Sequence, residues 1–194
     1  MPGDALRPGD VLQREDALQR EDALHRKARA VRLMIFDVDG VLTDGRLYFT
    51  ETGAEMKAFH TLDGHGMKML MQSGVRIALL TGRSSGAVAH RAANLGISHV
   101  LQGVADKRAG FAELLAQTGM QAGQCGCMGD DVVDLPLMRR CALALAPPEA
   151  PELVRRNAHY VCRSAAGAGA AREACELVMR AQGTLDAALA AWLE

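Results

Sequence analysis

The sequence predicts a doubly wound α/β fold, a parallel sheet enclosed between two helical layers. Three observations carry this. Short, continuous apolar runs recur, most clearly VRLMIF (31–36) and VRIALL (75–80), as expected of strands covered on both faces. Helical patterns lie between the runs, so the strands are parallel and joined by crossovers. Carboxylates, a hydroxyl and basic groups collect just after the runs, where open α/β sheets place their function.

In chain order, residues 1–30 form an arm. Its QREDAL hexapeptide is repeated at 13–18 and 19–24. The six-residue recurrence of Ala-Leu pairs fits neither a 3.5 nor a 3.6 period, so the arm reads as a helical or flexible solvated extension and not as a coiled coil. Residues 31–194 form one domain. After the first strand, residues 46–60 alternate weakly about a turn signal at Thr52-Gly53 and read as an inserted β-hairpin. A two-stranded hairpin is marginal alone. This one carries Tyr48, Phe49 and Phe59, so it should pack on something else, another subunit being one candidate. Weaker strand signals follow the second run at 99–102, 125–128, 142–146 and 159–162. Helical patterns cover 66–72, 85–95, 107–117, 134–140, 151–156 and 170–181.

Composition narrows the function. The chain has 194 residues, 49% of them hydrophobic and 4% aromatic, with a net charge of −1. That balance supplies no basic surface for nucleic acid or an anionic membrane, and no apolar run approaches the ~18 residues a membrane span needs. The polar N-terminus does not resemble a secretory signal. Five scattered cysteines make a poor disulfide framework and read as buried thiols in a reducing cytoplasm.

The strand ends bear the chemistry. The first ends in Asp37-Val38-Asp39-Gly40, the second in Thr81-Gly82-Arg83, and a later one in Gly129-Asp130-Asp131; Lys107 opens a helix after another. Each alone could be a turn or a cap. Together, at successive strand ends, they describe a site. Clustered carboxylates without His or Cys call for a hard divalent cation, Mg²⁺, which also suits a phosphate substrate. Thr81 and Lys107 would hold phosphate oxygens. Asp37 is then free to attack phosphorus, and Asp39 to protonate the leaving oxygen and later activate water. A phosphorylated receiver module shares an acidic Mg²⁺ site, Thr and Lys, but there an acidic pair follows the first strand, and the hairpin has no role. Dinucleotide binding is weaker still, because Gly167-Ala168-Gly169 sits late in the chain and is followed by Arg172 where a glycine is needed.

DVDGVLTDG, LLTGR, Lys107 and MGDDVVD resemble the four motifs of haloacid-dehalogenase-type phosphatases. The hairpin segment, LDGHGMKML, TGRSSGAV, NLGI, QGVADK, AHYVCR, GAAREACELV and AQGTLDAAL resemble the 3-deoxy-D-manno-octulosonate 8-phosphate (KDO 8-phosphate) phosphatases of that superfamily. The resemblance spans the chain beyond the arm. It implies a cap-less Rossmann-like core and a cytoplasmic homotetramer whose hairpins meet at its centre. It also implies hydrolysis of a sugar-acid phosphate in lipopolysaccharide precursor synthesis. By the same resemblance, Asp37 is the nucleophile, Asp39 the general acid/base, and Thr81 and Lys107 phosphate ligands. Mg²⁺ is held by Asp37, the Asp39 carbonyl and Asp130, with Asp131 in support. His60, Thr61, Leu62, Asp63, Gly64, Lys68, Arg83 and Arg91 match sugar contacts.

The chain departs from the family pattern at Leu62 and Ala168, where arginine is usual, and at Lys68, where arginine is common. Each departure loses bidentate recognition of an anion. The hydrolytic motifs are intact. The alternatives are a nine-carbon sugar-acid phosphate as substrate, or a sugar-binding protein without turnover.

Overall fold

The computed structural model describes residues 8–190, 192 and 193. The first seven residues of the arm lie outside them. Six parallel strands form one sheet: β1 (Leu33–Phe36), β4 (Arg76–Leu80), β5 (His99–Leu101), β6 (Cys125–Met128), β7 (Leu143–Ala146) and β8 (Tyr160–Val161), in the order β5-β4-β1-β6-β7-β8. The chain builds outward from β1 on one side, then returns to its other side. The switch point, where such sheets open a crevice, therefore lies at the carboxyl end of β1.

Alternate residues of the buried strands feed two cores. Met34, Phe36, Ile77, Leu79, Leu143 and Leu145 face one helical layer, which includes α2 (Thr61–Gln72), α3 (Gly86–Leu95) and α7 (Ala170–Gln182). Leu33, Ile35, Ala78, Leu80, Ala144 and Ala146 face the other, with α4 (Lys107–Thr118), α5 (Leu135–Met138) and α6 (Glu152–Asn157). Burial on both faces is why these strands read as unbroken apolar runs. All five cysteines are free and buried, and no described helix is long and apolar enough to cross a membrane.

The arm is a continuous helix, α1 (Pro8–Arg29), whose last turns dock on the α7 side of the domain. Leu24 and Ala28 join the core there, and Arg29 Nε donates to the Ala181 carbonyl at 3.1 Å. The hairpin is present but minimal. β2 (Tyr48–Phe49) and β3 (Glu55–Met56) pair antiparallel around Gly53, whose φ of +80° is left-handed.

Three helices differ from the sequence expectation. α2 starts at Thr61, not at residue 66, because Gly64 and Gly66 are packing glycines and not breakers. A Cβ at 64 would lie 2.1 Å from Arg91 Nη2, and one at 66 would lie 2.5 Å from Arg172 Cδ. The helix expected over 134–140 is a 3₁₀ turn (Val132–Asp134) running into the short α5. A further helix, α8 (Leu185–Ala190), closes against the core through Leu185.

Candidate active site

The carboxyl edge of the sheet opens into a cavity of about 300 Å³ lined by Asp37, Asp39, Thr81, Arg83, Lys107, Asp130 and Asp131. Asp37 is fixed by backbone bonds. Its N–H donates to the Met128 carbonyl at 3.0 Å, and its Oδ1 accepts from Val38 N at 2.7 Å. Its Oδ2 lies 2.8 Å from Lys107 Nζ, whose side chain is only 4% exposed. Thr81, equally hidden, is held by backbone bonds to Leu101 and Val104. Asp37, Asp39, Thr81, Arg83, Lys107 and Asp130, expected from the sequence, therefore do converge.

The fourth motif is organised differently from expectation. Asp134, which the sequence reading treated as the start of a helix, is buried and bonds Lys107 Nζ through Oδ1 at 2.5 Å. Its Oδ2 accepts the backbone N–H groups of Asp130 and Asp131 at 3.1 and 3.2 Å. Asp131 is exposed at the rim, where Oδ1 accepts from Val132 N and starts the 3₁₀ turn. Asp134 thus props Lys107 and the Asp130 backbone from beneath, while Asp131, expected in a supporting position, lines the rim of the cavity. The available signal was spacing: an Asp four residues after Asp130 returns its carboxylate to the N–H groups of the turn it follows.

Asp37, Asp130 and Asp134 each offer an oxygen within 4.8 Å of the others. Both Asp134 oxygens are engaged, whereas neither Asp130 side-chain oxygen accepts a hydrogen bond among the described residues. Burial, then the neighbouring Asp37 and Asp134 charges, push the Asp130 carboxyl up to about 7. Burial also raises Asp37 to about 6, against the opposing pull of Lys107. Burial disfavours the Lys107 ammonium, but the two carboxylates override it and hold its pKa above the ordinary value. Gly40, at φ +78°, brings the backbone so close that a Cβ would meet Asp130 Oδ2 at 2.1 Å. A crowded, oxygen-only set with a free carboxylate fits a hard divalent cation.

The other expected sugar contacts do not line this cavity in the single chain. Leu62 and Lys68 are exposed on α2. Asp63 is turned inward, where it caps α7 by accepting from Gly169 N at 3.2 Å and Arg172 N at 2.8 Å. Arg91 Nη2 donates to the His60 carbonyl at 3.1 Å, and its guanidinium lies over Phe59 at 5.9 Å, packed against Gly64. Thr61, exposed, is the first residue of α2. The reason is geometric: α2 begins after the hairpin and packs on α7, away from the β1/β6 crevice.

Two hairpin residues missed from the sequence reach the site instead. Lys57 Nζ donates to Asp39 Oδ1 and pairs with Glu55 at 3.2 Å. Arg83 Nη2 bonds Glu55 at 2.9 Å, and its Nε stands 3.8 Å from Asp39 Oδ2. No local pattern announces this, since Glu55 and Lys57 look like the polar face of an exposed strand.

A parallel sheet with this strand-end constellation and no large cap has the architecture of a haloacid-dehalogenase-type hydrolase. No family model matches the chain. Related proteins do. The curated 3-deoxy-D-manno-octulosonate 8-phosphate phosphatase KdsC of Escherichia coli K12 is 42% identical over 162 residues, 84% of this chain and 86% of that protein. The probable YrbI family phosphatase of Pseudomonas syringae pv. phaseolica superposes with a TM-score of 0.87 at 48% identity, covering 89% of this chain and 98% of that one. The Moraxella catarrhalis 3-deoxy-D-manno-octulosonate 8-phosphate phosphatase, solved with magnesium, phosphate and KDO, superposes at 0.86 with 38% identity, covering 88% and 98%. The chain belongs to the KDO 8-phosphate phosphatase family of the haloacid dehalogenase superfamily.

Proposed function

We propose that this protein is a Mg²⁺-dependent phosphatase that hydrolyses 3-deoxy-D-manno-octulosonate 8-phosphate to KDO and phosphate, a step in lipopolysaccharide precursor synthesis. The observation that carries this is the Asp37 carboxylate, fixed between Val38 N and Lys107 at the floor of the cavity and flanked by Asp130. Family membership supplies the substrate class.

Asp37, the Asp39 backbone carbonyl and Asp130 would hold the metal, which when bound offsets the negative charge of carboxylates and phosphate. Lys107 and Thr81 bind phosphate oxygens and orient phosphorus toward Asp37. An Asp37 oxygen bonds phosphorus as the ester P–O bond breaks, and Asp39 gives its proton to the leaving oxygen. Asp39 then takes a proton from water, the water oxygen bonds phosphorus, and the Asp37 acyl-phosphate bond breaks to release phosphate. Asp134 holds Lys107 and the Asp130 backbone in place.

The same proposal includes a cytoplasmic homotetramer joined through the hairpins. Its support is the exposed apolar surface of Leu47, Tyr48, Phe49 and Met56 on an element too small to stand alone. In that assembly the exposed Thr61, Leu62 and Lys68 serve a neighbouring subunit's substrate, while Asp63 and Arg91 hold the start of α2 in place.

The test is phosphate release from KDO 8-phosphate and from a nine-carbon sugar-acid phosphate, with Mg²⁺ and after chelation. The expected result is Mg²⁺-dependent release with preference for the eight-carbon substrate. A clear nine-carbon preference overturns the substrate, and full activity after exhaustive chelation overturns the metal.

A further inference from the structure

We propose that Lys57, delivered by the inserted hairpin, positions the Asp39 general acid/base by occupying Oδ1 and leaving Oδ2 as the oxygen that exchanges the proton with the leaving group. The proposal rests on the phosphatase reading above.

Lys57 is not an ordinary hairpin lysine. Its side chain is 2% exposed, and its ammonium sits between Asp39 Oδ1 and Glu55 Oε1. Hiding a lysine head from water is costly unless anions receive it. An ammonium only donates hydrogen bonds. The oxygen it engages is therefore the unprotonated one, and any proton on Asp39 resides on Oδ2.

Asp39 Oδ2 is a buried oxygen with no hydrogen-bond partner among the described residues. Buried polar atoms are rarely left unpaired, and those that are often belong to reacting groups. Arg83 is the nearest candidate partner, yet its Nε stays 3.8 Å away because Glu55 holds the other end of the guanidinium at 2.9 Å. Glu55 thus steadies Lys57 on one oxygen and keeps Arg83 off the other. Asp39 lines the cavity beside Asp37; with Oδ1 taken by Lys57, the proton exchange is left to Oδ2. In the first half-reaction the Asp39 O–H bond breaks as the P–O ester bond breaks, and the electron pair of that bond and the proton both go to the leaving oxygen. In the second half Oδ2 takes the proton back from water.

A residue that only supports the fold would affect every substrate alike. One that orients the acid matters in proportion to how much the leaving group needs a proton. The experiment measures kcat and KM with Mg²⁺ for p-nitrophenyl phosphate, phenyl phosphate and KDO 8-phosphate, in the unmodified protein and in Lys57→Met, Lys57→Gln and Lys57→Arg. Lys57→Met is expected to lower kcat by about threefold with p-nitrophenyl phosphate and about a hundredfold with the alkyl ester, with phenyl phosphate between. KM should change less than kcat, and Lys57→Arg should recover most of the alkyl-ester loss. Lys57→Gln, uncharged and one bond shorter than lysine, cannot bridge Asp39 and Glu55 and gives the same reading if the methionine variant does not fold. An equal fall across the series, or none, overturns the proposal. The phenyl and p-nitrophenyl esters decide it even if the unmodified protein ignores KDO 8-phosphate, an outcome that would overturn only the substrate reading. Absence of turnover on every ester by the unmodified protein overturns both.

Discussion

The two sides of the active site are built by opposite means. Asp37 and Asp130 follow strands buried on both faces, Lys107 and Asp134 stand in the helical turns just beyond the sheet edge, and the side chains of that pair are only 4% and 5% exposed. Glu55 and Lys57 hang from a hairpin whose two strands are two residues long and whose Leu47, Phe49 and Met56 are exposed. Both sides bury a lysine between two carboxylates. Only the first is held by the sheet; the second depends on a small insertion that has no core of its own. On the proposed mechanism, the side that handles phosphorus is fixed by the fold, and the side that handles the leaving group is left to an element that can vary without disturbing the sheet.

The largest effect that separates the two sides is expected at the nucleophile. Asp37→Asn keeps the shape and the Val38 bond but removes the attacking charge, so turnover should fall about 10⁴-fold or more while the protein still unfolds cooperatively. Circular dichroism and steady-state kinetics on one preparation check this.

Next comes the buried lysine on the sheet side. Lys107→Met leaves the Asp37 and Asp134 carboxylates facing each other without a cation, a change of the kind that costs about 3–5 kcal/mol. A large drop in Tm, together with lost activity, is expected. Lys57→Met should lower Tm much less, because the hairpin can loosen on its own. Equal losses of Tm would break the comparison.

Metal removal probes the same side through pH. Asp37 and Asp130 carry pKa values raised to about 6 and about 7. In chelated protein the folded state therefore holds more protons than the unfolded chain between about pH 4 and pH 7, and stability should fall as pH rises through that range and level off above it. Adding Mg²⁺ should raise Tm at the upper end and flatten the slope. A slope unchanged by the metal would detach these carboxylates from it.

On the hairpin side, Phe49→Ser with Met56→Ser should reduce the assembly measured by light scattering and leave the sheet's unfolding transition nearly in place. The smallest effect belongs to Leu62→Arg. The residue is 55% exposed and outside its own cavity, so any gain must arise across a subunit contact. A charge-assisted bond of about 1.5–3 kcal/mol would appear as a tenfold or greater fall in KM. Unchanged KM for both Leu62→Arg and Ala168→Arg would show that neither position reaches the sugar acid.

What the sequence disclosed follows the same divide. Strands buried on both faces write themselves as apolar runs, and the residues that end them, Asp37, Thr81 and Asp130, were readable because position in a parallel sheet predicts chemistry. Lys107 was readable as the residue opening a helix after a strand. Asp134 was not, because it falls within the helical pattern of 134–140; its spacing from Asp130 hints at a bond back to the turn, but only the fold shows it turned under Lys107. Asp63 misled in the reverse direction: it lies in a stretch that resembles a sugar-binding motif, but its carboxylate caps α7 more than 100 residues away in sequence. Lys57 and Glu55 were invisible because their partners, Asp39 and Arg83, come from other elements. Long-range burial of a charge leaves no local period.

The central claim is that Asp37 takes the phosphoryl group from the substrate. Rapid mixing of the Mg²⁺-loaded protein with radiolabelled KDO 8-phosphate, followed by acid quench and peptide mapping, tests it directly. The account predicts transient, acid-stable label on the peptide that contains Asp37, which disappears as phosphate is released and is absent in Asp37→Asn. Hydrolysis at the normal rate with no label at any time, or label on another residue, would contradict it.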